Sequence, residues 1–350
     1  LIKHAHSSMK AAILQGPGVV RVQEVPEPVV GDYDALCTMV AASVCSGTDN
    51  HALAFDPYFS LSAPALFGHE GIGRVTAVGP KVRNLRIGDL VTRVVNAMPA
   101  DSGILVPSGW GAFAERGIAT DWQAMRDDGL PETAWRAHTY HRTLPAHFDP
   151  LAATMIITWR ETLAYIKRFS LSAGESLLLV GSGANSLSMA EHAKAMGVQV
   201  AVVGSPDREA VFSAAGAASY VSYKIDHPSA VLVAGGTKTV DAIIDTVGRH
   251  ATANALLPLL RGGGSFGLYG LDEGNAYALR PTLAQGDFRF LSGTEYEEGS
   301  THDEIVAAVE NGRLDAWRYL SREYFYPLTG IAEALQATRE RKAMKSVIVF

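Results

Sequence analysis

The sequence predicts an α/β protein of two domains, in which a β-rich, barrel-like domain is followed by a doubly wound domain built on a parallel sheet. Three observations predict this class. Short apolar runs separated by Gly-Pro and Gly-Asp turns occupy the chain up to about residue 148, and from about residue 151 apolar runs alternate with helical patterns. The chain also has 350 residues, which is more than one core of ordinary size needs.

The elements of the first domain are short and separated by turns. Apolar runs of strand length are predicted to be strands at 10–14, 19–24, 35–43, 73–79 and 90–95. Residues 1–8, with two histidines ahead of Met9, are interpreted as a tag remnant outside the fold. Residues 121–142 are rich in aromatic and basic side chains, and we interpret them as a lid, an oligomer contact or a surface insertion that packs on itself.

Strand and helix patterns alternate in the second domain. Strands are predicted at 176–180, 199–203, 241–245 and 264–268, and helices at 151–169, 186–196, 207–215 and 251–260. Beyond residue 291, helices at 301–310 and 330–341 and a strand at 346–350 are expected to return to the first domain. We therefore predict one domain from residues 9–150 and 296–350, and a second from residues 151–295.

The composition argues against several classes of partner. A formal net charge of −6 leaves no basic field to hold nucleic acid or an anionic membrane. No apolar run reaches the roughly 20 residues that a membrane-spanning helix needs. The two cysteines are Cys37 and Cys45, so we expect no disulfide framework and a reducing, cytoplasmic location.

A glycine-rich turn between a predicted strand and a predicted helix indicates a dinucleotide site. The turn reads GSGANS, with Gly181 and Gly183 at the first two positions of the G-x-G-x-x-G pattern and Ser186 at the third. Gly181 permits the tight turn, and Gly183 lets the backbone approach a pyrophosphate at the helix N-terminus. Ser186 is small enough for close packing of helix on strand, so the pattern predicts a Rossmann domain.

The end of the second strand of this domain favours NADP over NAD. NAD sites place an acidic residue there to bind the ribose 2′-hydroxyl, and this position, 23 residues after Gly181, is Gly204. Without a carboxylate, a 2′-phosphate is not repelled; Ser205 can donate to it and Arg208 can pair with it. In the alternative interpretation, Asp207 caps its helix, Arg208 is solvated and NAD is accepted.

Several local patterns in one chain carry a resemblance to a known family. They are CSGTDNH at 45–51, GHEGIG at 68–73, GAFAE at 111–115 and DAIIDTVG at 241–248. Together with the Rossmann pattern they resemble the medium-chain dehydrogenase/reductase superfamily, in particular its zinc-type alcohol and polyol dehydrogenase branch. The resemblance covers nearly the whole chain after the leader.

The resemblance implies a fold, a cofactor and a set of site residues. The first domain would be a GroES-like catalytic domain that holds a zinc ion, and the second would bind NADP or NAD, with Thr246 among its contacts. Zinc polarises a substrate oxygen and lowers its pKa. The matched ligand positions are His69, with Glu70 adjacent, and Asp149; Thr48 and His51 match a relay that carries the alcohol proton to solvent. A homodimer or homotetramer would be expected from the same resemblance.

Two departures from the family pattern leave the metal open. The pattern places a cysteine two residues before Thr48, where this chain has Ser46, and Cys45 lies one residue earlier. In an extended segment that shift turns the thiol to the other face, although a bulge could restore it, so Cys45 is a conditional ligand and Ser46 a candidate catalytic residue. The four-cysteine lobe of a structural zinc has no counterpart in residues 96–110, so no structural zinc is expected.

Three functions remain open on the sequence. The first is an NADP(H)-dependent dehydrogenase acting on a small alcohol, polyol or sugar. The second is a zinc-free quinone or enone reductase of the same superfamily, which Ser46 favours and the joint presence of the zinc-type residues opposes. The third is a non-catalytic NADP-binding redox sensor, which would bind cofactor without turning over any alcohol.

Overall fold

The computed structural model describes residues 8–236, 238–293 and 297–350. The leader interpreted as a tag remnant lies outside the described residues except for Ser8, which begins the first strand. The chain divides into two compact units, one formed by Leu1–Arg160 with Glu297–Phe350 and the other by Glu161–Tyr296. The contact-based boundary therefore lies ten residues after the predicted one at the first junction.

The first unit contains the strands and helices of a β-rich domain. Its strands are β1 (Ser8–Gly16), β2 (Val19–Pro26), β3 (Asp34–Ser43), β4 (Ala65–Leu66), β5 (Glu70–Val78), β6 (Leu90–Thr92), β7 (Arg116–Thr120) and β8 (Thr143–Leu144). Its helices before the junction are α1 (Thr48–Leu53), α2 (Trp122–Asp127) and α3 (Glu132–Trp135), and α4 (Met155–Lys167) crosses the junction into the second unit.

The second unit alternates strand and helix. Its strands are β9 (Ser176–Val180), β10 (Gln199–Gly204), β11 (Ser219–Ser222), β12 (Val240–Asp245), β13 (Leu260–Leu268) and β14 (Arg289–Leu291). The helices between them are α5 (Ala184–Ala195), α6 (Glu209–Ala214), α7 (Pro228–Ala234) and α8 (His250–Leu256). The chain then rejoins the first unit with α9 (His302–Glu310), β15 (Leu320–Pro327), α10 (Ile331–Arg339) and β16 (Lys345–Val349).

The sheet of the second unit has the strand order of a Rossmann domain. Six parallel strands are arranged β11-β10-β9-β12-β13-β14, which is the order 3-2-1-4-5-6 counted within the unit. Leu177–Val180 of β9 are all buried, as expected for a parallel strand covered on both faces. The core includes Leu178, Ile243 and Phe266. This confirms the predicted α/β class and the Rossmann domain.

The β-rich unit is held by two sheets. A mostly antiparallel sheet runs β15-β16-β3-β5-β6-β8, with β7 also paired to β3, and a smaller sheet runs β2-β1-β4. Because β16 pairs with β3, the last strand of the chain lies inside the larger sheet, as the sequence predicts. The register sets Ser43, the last residue of β3, opposite Glu70, the first residue of β5. That pairing brings the chain on either side of these residues together.

The segment 121–142 packs on itself and on a neighbouring loop of the same unit. The rings of Trp122 and Trp135 stack at 6.1 Å. The Asp121 carboxylate accepts from the backbone N–H groups of Arg83, Asn84 and Ala124. These contacts are those of an insertion that packs on itself. A role of the segment as a lid or an oligomer contact stays a prediction. Within the described ranges, none of the helices is long and apolar enough to span a bilayer.

Candidate active site

Three potential metal ligands meet in the first unit. The Cys45 thiol, the His69 imidazole and a Glu70 carboxylate oxygen lie within 4.8 Å of one another, and all three residues are buried. The register between β3 and β5 explains the meeting. Cys45 follows the end of β3, while His69 and Glu70 stand at the start of β5, so the two segments lie side by side.

Cys45 faces this group because it is not in a strand. β3 ends at Ser43, and the chain turns into α1, whose first-turn Asp49 N–H donates to the Cys45 carbonyl at 3.1 Å. In return, the Cys45 N–H donates to the Asp49 carboxylate at 2.8 Å. The alternation of faces that would turn the thiol away applies only to extended chain. Ser46 is exposed, and its carbonyl accepts from the Asn50 amide at 2.9 Å.

Asp49 lies beside the imidazole of His69. Its Oδ1 is 3.5 Å from His69 Nδ1, and Asp49 is fully buried. Burial alone would lower the pKa of His69, but the neighbouring Asp49 and Cys45 raise it well above its usual value. Among the described atoms, neither His69 Nδ1 nor Asp49 Oδ1 has a polar partner nearer than the 3.5 Å that separates them. Asp49 and Cys45 therefore make the surroundings of His69 favourable to positive charge.

Glu70 is already occupied by donors from its own chain. Lys345 Nζ lies 2.6 and 2.5 Å from its two oxygens, Ser43 Oγ donates at 2.5 Å and Thr158 Oγ1 at 3.1 Å. Burial alone would raise the pKa of Glu70, but the Lys345 ammonium and His69 lower it below its usual value. A carboxylate has about four lone-pair sites, and these four contacts use them. Glu70 therefore belongs to the group but is the member least available to a metal.

Asp149 is not part of the group, which corrects the assignment implied by the family resemblance. It lies on the exposed loop between β8 and α4, and its Oδ1 accepts from the Leu151 N–H at 2.9 Å. Instead of a metal centre it lines an open cavity of about 530 Å³, together with Trp159 and Trp317. The structure thus offers no third ligand from this position.

Thr48 and His51 lie in one helix. Thr48 is the first residue of α1 and His51 follows three residues later, so the two side chains share a face. His51 Nδ1 lies 2.9 Å from an oxygen of Asp56, and both side chains are partly exposed. A backbone hydrogen bond from Tyr58 and the contact with His51 lower the pKa of Asp56. Asp56 was missed in the sequence analysis. An acidic residue just beyond the end of α1 could have indicated a partner for His51.

An aromatic wall adjoins the metal-ligand group. The rings of Trp110 and His69 are 6.3 Å apart and inclined by 30°, and Phe59 packs against Trp110 at 5.4 Å. Trp110 ends the 96–110 stretch that lacks the cysteines of a structural zinc lobe. Its ring supplies an apolar surface next to the imidazole.

The dinucleotide pattern folds as its residue types require. Gly181 follows β9 with φ of 114°, and a Cβ there would lie 2.3 Å from Thr246 Oγ1. A Cβ on Gly183, the N-cap of α5, would meet none of the described atoms within 4 Å. The buried Ser186 donates to the Gly181 carbonyl at 2.8 Å. The turn thus leaves open space at the N-terminus of a twelve-residue helix, which fits a phosphate group.

The other predicted cofactor residues stand at the same edge of the sheet. Gly204 ends β10, with Ser205 directly after it and Arg208 immediately before α6. Thr246 follows β12, and its N–H and hydroxyl both donate to the Val180 carbonyl, at 2.9 and 2.7 Å. Because β9, β10 and β12 are adjacent parallel strands, their carboxyl ends bring these residues together.

Comparison with known proteins agrees with this arrangement. A family model described as an alcohol dehydrogenase GroES-like domain matches residues 31–128, and one described as a zinc-binding dehydrogenase matches residues 186–292. L-galactonate-5-dehydrogenase of Escherichia coli is 26% identical over 355 residues, which covers 98% of this chain and 100% of that protein. Sorbitol dehydrogenase of Bombyx mori is 22% identical, with 97% of each chain covered.

A solved structure shares the fold. Benzyl alcohol dehydrogenase from Acinetobacter calcoaceticus superposes with a TM-score of 0.81 at 18% identity, covering 98% of this chain and 99% of that one. The two family models together cover more than half of the chain, in the same order as the β-rich and Rossmann units. The chain therefore belongs to the medium-chain dehydrogenase/reductase superfamily, in its branch of zinc-type alcohol and polyol dehydrogenases, and is an oxidoreductase.

Proposed function

We propose that this oxidoreductase transfers a hydride between NADP(H) and a small polyol, sugar or other alcohol, with zinc held by Cys45 and His69. The observation that carries the proposal is the buried meeting of the Cys45 thiol with the His69 imidazole. Thiolate and imidazole are donors that zinc takes in proteins, and the buried Asp49 beside His69 adds negative charge to the site. The donor set therefore fits the metal.

The residues around Cys45 and His69 prepare them for this role. Asp49 beside Nδ1 of His69 holds the proton on that nitrogen, which leaves Nε2 as the donor atom. Glu70 keeps its negative charge beside the ligands while its lone pairs stay bound to Lys345, Ser43 and Thr158. A bound zinc would supply Lewis acidity that lowers the pKa of a substrate hydroxyl.

Thr48 and His51 are proposed to move the alcohol proton. Thr48 at the start of α1 and His51 are both half-buried, and His51 Nδ1 lies 2.9 Å from an Asp56 oxygen. A hydroxyl can accept and donate at once, so Thr48 can pass a proton toward the imidazole of His51. The Asp56 carboxylate orients that ring and stabilises its charged form.

The preference for NADP(H) rests on the end of β10. Gly204 provides no carboxylate to repel a 2′-phosphate, and Ser205 and Arg208 follow it in the chain.

The names of the relatives, L-galactonate-5-dehydrogenase and sorbitol dehydrogenase, support polyols and sugars as the substrate class. We also propose a cytoplasmic homodimer or homotetramer without nucleic-acid or membrane partners, consistent with the net charge of −6.

The proposed function is tested by the Arg208→Ala variant in an assay with polyols and sugars and both cofactors. We expect the KM for NADP to rise roughly 10- to 100-fold, because a charge-assisted contact to phosphate is lost, and the KM for NAD to change little. Arg208→Lys is the matched control and should retain part of the preference. Equal increases for both cofactors would contradict the assignment of Arg208 to the 2′-phosphate.

A zinc-free reductase is the second candidate, and one observation favours it. Asp149 stands apart from the group and Glu70 is occupied by Lys345, which leaves Cys45 and His69 as the ligands that the group offers among the described residues. In that case the substrate carbonyl would be activated by hydrogen bonding. Activity on enones or quinones by protein that contains no zinc, with none on alcohols, would establish this candidate.

A further inference from the structure

The second unit leaves no space for a side chain at position 204. A Cβ added to Gly204 would lie 2.3 Å from the hydroxyl oxygen of Tyr220 and 2.6 Å from Cβ of Ser182. Real Cβ atoms do not approach other heavy atoms below 3.0 Å. Tyr220 belongs to β11, the strand paired with β10, and Ser182 to the glycine-rich turn. Two different elements thus close the same space.

Tyr220 cannot easily withdraw from this position. Its ring packs against Phe212 of α6 at 5.7 Å, and Phe212 is fully buried. Its hydroxyl donates to the Ser205 carbonyl at 2.5 Å. The Ser205 N–H in turn donates to Ser182 Oγ at 2.9 Å. The backbone of Ser205 is therefore held on one side by Tyr220 and on the other by Ser182.

We propose that Tyr220 determines the cofactor specificity of this enzyme, with Ser182 as its partner, by two effects. It fills the space that an acidic residue at position 204 would need, and it fixes the backbone of Ser205 beside a ligand that carries a ribose 2′-phosphate. The inference rests on the proposed use of NADP(H) and adds the residue that enforces it. Tyr220 acts through Gly204 and Ser205 and is therefore a positioning residue.

The steric effect makes a clear prediction for acidic substitution. In NAD-binding domains an acid at this strand end accepts a hydrogen bond from the ribose 2′-hydroxyl. If Tyr220 and Ser182 exclude side chains here, Gly204→Asp alone displaces the strand end and weakens the binding of both cofactors. In a chain that also carries Ser182→Gly and Tyr220→Val, the same aspartate fits and reverses the preference toward NADH.

The experiment compares Gly204→Asp in the native chain and in the S182G/Y220V background. Dissociation constants for NADPH and NADH are measured by fluorescence titration, and Tm by thermal unfolding without cofactor. We expect Gly204→Asp to lower Tm more in the native chain than in the opened background, because the clash is present only there. Two results would overturn the proposal that Tyr220 and Ser182 exclude a side chain at position 204. One is an equal loss of Tm on Gly204→Asp in the native chain and in the opened background, and the other is a Gly204→Asp single variant that prefers NADH to NADPH.

The positioning effect is tested by Tyr220→Phe, which keeps the ring and removes the hydrogen bond to Ser205. We expect NADPH binding to weaken roughly three- to tenfold, the loss of one neutral hydrogen bond, with NADH binding unchanged. Equal weakening of NADPH and NADH binding, or no change in either, would contradict the role of the Tyr220 hydroxyl in positioning Ser205.

The two proposals fail in different ways. Native protein that binds NADH more tightly than NADPH would refute the proposed cofactor, whatever the variants do. Native protein that prefers NADPH, but accepts Gly204→Asp without loss of Tm, would refute the role of Tyr220 and leave the proposed function intact. The Tm comparison needs no cofactor, so it tests the exclusion of side chains in either case.

Discussion

At the scale of single residues, the buried ion pair between Glu70 and Lys345 dominates the surroundings of the metal-ligand group. Glu70 is 0% exposed and Lys345 2% exposed. Removing two charges from water costs several kcal/mol for each ion, and here the cost is offset by a close pair with further hydrogen bonds from Ser43 and Thr158. The stability of the β-rich unit therefore depends on both partners being present.

Lys345→Met tests this dependence. Methionine fills a similar volume without the charge and leaves the Glu70 carboxylate buried and uncompensated, so we expect the free energy of unfolding to fall by about 3–5 kcal/mol. Chemical denaturation measures the change. The double variant E70Q/K345M is the control and should recover much of the loss, because neither position of the pair then carries a charge. A single variant within about 0.5 kcal/mol of the native protein would show that the pair is not important for stability.

Sequence reasoning could find some of these residues and not others. Cys45 and His69 are recognisable from local patterns, but whether the thiol faces the imidazole depends on where β3 ends, and the chain turns two residues before Cys45. Lys345 is 275 residues from Glu70 along the chain. Its one local signal is a lysine that opens the final strand ahead of three apolar residues, Val347–Val349, and no spacing rule connects it to a partner so distant.

At the scale of elements, α9 is anchored by a buried histidine at its first residue. His302 Nε2 lies 3.0 Å from the Thr143 carbonyl, and its Nδ1 is 3.2 Å from the guanidinium of Arg160. These partners select the neutral ring with the proton on Nε2. Burial, and then the positive charges of Arg160 and Arg142, lower the pKa of His302 to about 3, against opposing effects of the Thr143 backbone contact and of Asp303.

His302 should therefore make stability depend on pH between about 6.5 and 3. In this range the unfolded chain binds a proton that the folded chain does not, so the free energy of unfolding falls as pH decreases, by up to about 1.4 kcal/mol per pH unit. His302→Gln keeps an acceptor for Arg160 and a donor for Thr143 but cannot titrate. We expect its stability to fall less steeply with acidification, as measured by denaturant unfolding across this range. Identical slopes in the two proteins would contradict a neutral, buried His302.

The two strands of the Rossmann sheet that the sequence missed share a physical property. β11 has four residues and β14 has three, and neither is a continuous buried run. Both occupy edges of the Rossmann sheet, where one side of a strand has no neighbour and side chains are partly exposed. The central strands β9, β10 and β12 are buried on both faces, which is why their apolar runs were recognisable.

At the scale of the whole molecule, the order of the elements predicted the fold class and the return of the final segment to the first unit. Alternation of strand and helix in the second unit indicated a parallel sheet, which the structure confirms, whereas the order of its strands was not predicted. The return of the final strand to the first unit was also predicted, and β16 pairs with β3 there. The metal ligands were predicted less well than the fold, because Asp149 was assigned by resemblance alone and lies on an exposed loop.

The measurement that tests the central claim most directly is the zinc content per chain, determined by plasma mass spectrometry on protein prepared without chelators. The chain should carry His4→Ala and His6→Ala, so that the leader cannot contribute metal. We predict one zinc per chain, its loss in Cys45→Ser and in His69→Ala, and loss of turnover in His69→Ala with nearly native affinity for NADPH. Absence of zinc from an active native chain, or an unchanged zinc content in both variants, would contradict the account.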